Sequence, residues 1–147
     1  MQAEMLIGSK FAKGKGEAKA VLNPRTGARI VSLREASPDQ VDQAVAAASM
    51  AFAGWSRTSP AQRAALMLKL ADRIEAEADD FAALEAQNCG KPVNAVKNDE
   101  MPAIVDCLRF FAGAARVVPS SAAAEYMPGF TSMVRRAPIG VVGSIAP

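Results

Sequence analysis

The chain has no histidine, so within its 147 residues no Ser-His or Cys-His dyad and no imidazole-ligated metal site can form. Cysteine is scarce. Cys89 and Cys107 are the only two, they make no CxxC pair, and isolated thiols of this kind read as reduced rather than bridged. Aromatic residues are only 5% of the chain while alanine is abundant, which favours closely approaching helices over a core of large rings. Charge of one sign is missing too. A formal net charge of +2 is too small for a nucleic-acid partner, and the loose cluster Lys10, Lys13, Lys15 and Lys19 reads as a solvated hairpin. No run approaches the roughly 18 uninterrupted apolar residues of a membrane span. Met1-Gln2-Ala3-Glu4 lacks the basic start and apolar run of a secretory signal. The expectation is therefore a cytoplasmic chain with neither membrane nor nucleic acid as partner.

What is present reads as globular. Half the residues are hydrophobic and 22% are charged, and the length suffices for one domain with its own core. Met5 to Phe11 and Ala20-Val21-Leu22, separated by Gly14 and Gly16, read as a hairpin. Asn23-Pro24-Arg25-Thr26-Gly27 supplies turn chemistry, and Ala28 to Leu33 alternates as a further strand. Two helix starts then use the same grammar. Ser37-Pro38-Asp39-Gln40 and Ser59-Pro60-Ala61-Gln62 each place Ser at the cap, Pro in the first turn and Gln where a capping box needs it.

The periodicity predicts four helices near residues 38–54, 60–77, 79–89 and 97–116. Their expected buried faces are Val41, Val45, Phe52 and Trp55; Leu66, Leu70 and Ile74; Phe81 and Leu84; and Ile104, Leu108, Phe111 and Ala115, extended by Val105 and Ala112. Gly90 and Pro92 end the third helix, and Pro102 either opens or kinks the fourth. Cys89 is a poor nucleophile on this reading. It stands at a helix C-terminus, where the dipole disfavours a thiolate, with no base evident. Cys107, inside an amphipathic helix, reads as packed. Residues 117–129 read as a loop, 130–136 as a strand, and Ile139 to Ile145 as a strand buried on both faces of a parallel sheet. Ligands in such sheets bind beyond the carboxyl ends of the strands, here at Pro147.

Four motifs in order carry a resemblance. Arg135-Arg136 followed by Pro138, Gly140-Val141-Val142, Ile145 and Pro147 resembles the strand that opens the nucleotide-binding domain of the aldehyde dehydrogenase superfamily. Asn23 to Gly27, Asn88-Cys89-Gly90-Lys91-Pro92 and Phe110 to Arg116 extend the likeness over nearly the whole chain. It is nearest to the branch that oxidises aminoaldehydes, such as the gamma-aminobutyraldehyde dehydrogenases. The resemblance implies an α/β fold, the N-terminal part of the aldehyde dehydrogenase fold. Residues 1–117 would belong to the NAD-binding domain, 118–137 would lead towards an oligomerisation sheet shared in a homotetramer, and 138–147 would be the first core strand of a Rossmann-like sheet.

The resemblance also implies sites. Ile145, Ala146 and Pro147 would wall the NAD site. Glu100 first and Asp106 second would hold the ammonium group of an aminoaldehyde, against the plain alternative that Asp99, Glu100 and Asp106 are solvated charges complementing the helix dipole. Val21, Leu22 and Asn88 would offer oxygens to a monovalent cation, although some relatives have Asp where this chain has Asn88. The family's catalytic cysteine and glutamate match nothing in the chain, so an inactive segment of an enzyme acting on 4-aminobutanal in putrescine degradation is the expectation. A betaine-aldehyde or succinate-semialdehyde dehydrogenase segment, a non-catalytic remnant acting through oligomerisation, and a small helical binding domain remain as alternatives.

Overall fold

The computed structural model describes residues 3–117, 123–134 and 136–146. Strand β1 (Met5–Ile7) turns at Gly8 and pairs antiparallel with β2 (Lys10–Ala12), Met5 opposite Ala12. The single strand expected over 5–11 is thus two strands of one tight hairpin. Neither pairs with β3 (Ala18–Leu22), whose partner is β4 (Arg29–Arg34) across the Asn23 to Gly27 turn. That turn is closed by Asn23 N–H donating to Ala28 O at 2.8 Å and Gly27 N–H to Asn23 O at 2.8 Å. A bulge between Val21 and Leu22 interrupts the ladder just before it.

Four helical segments follow at nearly the expected places: α1 (Pro38–Trp55), α2 (Pro60–Ala76), α3 (Ala78–Cys89), and a longer rod. The rod comprises α4 (Val93–Ala95), a π-helical turn (Val96–Glu100) and α5 (Met101–Ala114). Met101 N–H donates to Val96 O, five residues back. The widened turn has a local cause. In a regular α-ladder the Pro102 ring would meet the carbonyl four residues earlier, at Asn98, and a π-turn just before the proline relieves that clash.

The beginning of α1 is pinned by one side chain. Gln40, only 3% exposed, donates from Nε2 to Lys13 O at 2.9 Å, and its Oε1 accepts from Lys15 N at 2.8 Å and Ser37 N at 3.2 Å. Helices α2 and α5 make the most extensive contact between elements. Arg109 of α5 clamps it, with Nη2 at 2.6 Å from Glu75 and 3.0 Å from Asp72.

The buried faces differ from those expected. Val105 and Ala112 of the rod are buried as expected, but their buried companions are Met101 of the rod, Ala64 and Ala71 of α2 and Ala82 of α3, whereas Leu66, Leu70, Phe81, Leu84, Ile104 and Phe111 are 40% exposed or more. Periodicity cannot tell which apolar positions of a helix have a partner within this chain. On α2 and α3 the partnered stripe is marked by alanines, Ala64, Ala71 and Ala82, which allow close helix approach. The tightest cluster joins Ala82, Val96 and Met101 with Ile74 and Ala78. Burial of a side chain such as Val96 contributes about 2 kcal/mol.

Three further expectations need correction. The 117–129 loop contains a strand, β5 (Ala124–Met127), paired across Pro128-Gly129 with β6 (Phe130–Ser132), so the strand expected over 130–136 is shorter. Residues 136–146 form no strand, because a doubly buried strand exists only where other strands flank it and none does among the described residues. Ile139 and Ile145 are 94% and 100% exposed. Cys107 is exposed rather than packed. Residues 118–122 of the expected loop, Arg135 and Pro147 lie outside the described residues.

Candidate functional site

The α3 helix ends at Gly90 with φ 75°, a left-handed conformation that glycine adopts without a Cβ penalty. The same glycine seats the helix end on the β3–β4 turn. An ideal Cβ there would stand 3.1 Å from Pro24 Cγ. The chain then reverses through Lys91 and Pro92 into the rod, so that α3 and the π-turn lie side by side. Between them runs an open groove of about 260 Å³, lined by Phe81, Leu84, Val96, Met101 and Ile104 with Glu85 and Glu100 among them.

Glu100 lines this apolar groove, but it is not free. Lys91 Nζ stands 3.0 Å from Glu100 Oε2 and 3.1 Å from Glu85 Oε1, with all three side chains 36–43% exposed. The ammonium bridges one carboxylate from each wall. Hydrogen bonds to Glu100 and then to Glu85 raise the Lys91 pKa above its usual value, and the Lys91 bond is the chief cause that lowers that of Glu85. Asp106 is exposed on α5 and does not line the groove.

Neither Lys91 nor Glu85 was expected beside Glu100 from the sequence. A signal for Glu85 did exist: it precedes Cys89 by four residues, which places both on one helix face. Asn88 Nδ2 donates to the exposed Cys89 Sγ at 3.8 Å, while the Glu85 carboxylate one turn earlier is the chief influence that pushes the Cys89 pKa up. A base is thus adjacent, but it is a carboxylate held ionised by Lys91, and it favours the protonated thiol.

The candidate cation ligands are brought near one another only at the level of elements. Val21 and Leu22 flank the bulge that interrupts the β3–β4 ladder, and Asn88 lies at the α3 terminus that Gly90 seats on the following turn. Carbonyls at a bulge are free of regular pairing, which fits an oxygen-ligated ion. No group of three His, Cys, Asp or Glu side chains gathers as metal ligands among the described residues. Ile145 and Ala146, exposed and apolar, fit a wall against a ring face and offer no side-chain donors to a phosphate.

The arrangement of hairpins, capped helices and proline-kinked rod has known counterparts. The family model for the aldehyde dehydrogenase family matches residues 11–147. The chain is 39% identical over 145 residues to an aldehyde dehydrogenase of Alternaria alternata, covering 97% of this chain and 29% of that protein. It is 37% identical over 145 residues to one of Emericella nidulans, with 97% and 29% coverage. The crystal structure of PnpE in complex with nicotinamide adenine dinucleotide superposes with a TM-score of 0.89 at 36% identity, over 95% of this chain and 28% of that one. The chain thus spans less than a third of the length of the relatives it matches. No described helix is long and apolar enough to cross a membrane. With the family's pattern running through all but its first ten residues and the fold superposing on solved members, the chain belongs to the aldehyde dehydrogenase family.

Proposed function

We propose that the full-length protein is an NAD-dependent dehydrogenase that oxidises an aminoaldehyde, 4-aminobutanal to 4-aminobutanoate in putrescine degradation, as a cytoplasmic homotetramer. The observation that carries the substrate reading is the groove between α3 and the π-turn, an apolar channel with the Glu100 carboxylate in its lining. The methylene chain of an ω-ammonium aldehyde would lie on Phe81, Leu84, Val96, Met101 and Ile104, leaving its cation to the carboxylate. In a partly desolvated channel such an attraction favours the charged substrate over a neutral one of equal length. Asp106 would act further out, as a long-range attraction only. Bound NAD supplies the hydride acceptor, and Ile145, Ala146 and Pro147 would form one wall of its site. Val21, Leu22 and Asn88 would hold the monovalent cation through oxygens.

One observation favours a second reading, a neutral aldehyde: Glu100 is already paired with Lys91. Steady-state kinetics of the full-length enzyme separate the two. Glu100→Gln should raise KM for 4-aminobutanal several-fold more than for butanal. Equal effects on both substrates would make the neutral aldehyde the better reading and leave Glu100 a structural residue.

A further inference from the structure

We propose that Lys91 is a specificity-determining residue, an internal cation that competes with the substrate's ammonium group for Glu100 and so sets how strongly the enzyme prefers charged aldehydes. The inference rests on the aldehyde-oxidising reading above.

Its ground is the position of one atom. Lys91 Nζ is a primary ammonium on a four-carbon stem, the same group at the same reach as the cationic end of a short ω-ammonium aldehyde. It lies 3.0 Å from Glu100 Oε2 at the groove's lining. A ligand ammonium approaching Glu100 must share the carboxylate with Lys91 or displace it. Glu85 makes displacement feasible, because at 3.1 Å it offers Lys91 a second anion to retreat to. The three groups sum to one net negative charge, enough to attract a cation weakly and too little to bind two. Backbone geometry keeps the competitor in place. Gly90 in its left-handed conformation and Pro92 fix the Lys91 backbone between α3 and the rod, and the π-turn presents Glu100 to it.

The three partners are each more than a third exposed, so the pair contributes little to folding and its loss is expected to leave the protein folded. Its effect falls on charge selection.

The test compares kcat/KM for 4-aminobutanal and butanal, with NAD, in the full-length enzyme and in K91M, K91R and K91M/E100Q. K91M should raise the ratio of charged to neutral substrate about fivefold, the order of one partly screened charge contact, through a lower KM for 4-aminobutanal rather than a changed kcat. K91R, which keeps the cation, should give a ratio close to that of the unaltered enzyme, and K91M/E100Q should bring the ratio back to or below it. NADH formation from both aldehydes with an unchanged ratio in K91M would overturn the inference and leave the aldehyde-oxidising reading standing. A ratio lowered by K91M would overturn it too, since Lys91 would then assist the charged substrate. Failure of every aldehyde tried to yield NADH would remove both.

Discussion

Gly14 lies flat against Arg34: an ideal Cβ on the glycine would fall inside the van der Waals envelope of the Arg34 carbonyl oxygen and would also crowd that of Glu35. These are backbone atoms at the end of β4, so neither can swing away. Gln40, donating to Lys13 O and accepting from Lys15 N–H, ties down the residues on either side of Gly14. Gly14→Ala should therefore destabilise the protein by about 2 kcal/mol, through overpacking rather than backbone strain. Denaturant midpoints measure it, and a midpoint equal to that of the unaltered protein would show that the crossing is loose.

The two Ser-Pro-x-Gln helix starts are alike in sequence and differ in the fold. At α2 the box is complete, with Gln62 N–H donating to Ser59 Oγ at 3.2 Å and Ser59 N–H to Gln62 Oε1 at 2.8 Å. At α1 only the return bond to Gln40 forms, and Ser37 Oγ is buried without a partner. Ser59→Ala should cost about 1 kcal/mol, while Ser37→Ala should be neutral or slightly stabilising because it removes an unsatisfied polar atom. Thermal unfolding of the two variants side by side decides the matter, and equal losses would contradict it.

This contrast also shows what could be read from sequence. Ser37, Pro38, Ser59, Pro60, Gly90 and Pro92 act on their own backbone neighbours, so helix starts and stops came out nearly in place. The partner chosen by Gln40 comes from a loop some 25 residues away, and no local signal encodes it. The same holds at the groove. Glu100 was visible as an acid on the rod, but the Lys91 that claims it is nine residues distant and arrives there only through the reversal after Gly90.

The Glu85 to Lys91 to Glu100 bridge has a pH window. Glu85 is lowered from 4.5, so its contribution is present above that value and fades as pH falls through the lowered one. Lys91 is raised from 10.5, so its contribution is present below that value and fades only as pH rises through the raised one. Between the two the bridge stays closed and Cys89 stays protonated beyond the usual thiol value of 9.0. Iodoacetamide alkylation of Cys89, followed by site-resolved mass spectrometry because Cys107 is also exposed, should have a midpoint above that of an unstructured cysteine peptide. Glu85→Gln should move the midpoint down. A midpoint at or below the peptide's in the unaltered protein would refute the Glu85 contact.

A polypeptide of these 147 residues alone should neither oxidise an aldehyde nor remain monomeric. Oxidation in this family, by the resemblance drawn from the motifs, needs a cysteine nucleophile and a glutamate base that match nothing here, and the two thiols present cannot stand in. Cys89 is held protonated by Glu85, and Cys107 does not line the groove. Association follows from uncovered apolar surface. Met50, Phe110, Phe111, Val142 and the fully exposed Ile145 lie open on α1, α5 and the extended segment 136–146, and that segment is an apolar stretch with unpaired backbone of the kind that joins other chains. Burying such surface against another copy is favourable at roughly 25 cal/mol per Å², so the associated fraction should grow with concentration. Purified polypeptide mixed with NAD and 4-aminobutanal should show no NADH absorbance above a Cys89→Ala, Cys107→Ala control, and sedimentation of the same sample should show species larger than a monomer. Turnover above that control from a monomeric sample would mean that this segment carries a complete active site of its own.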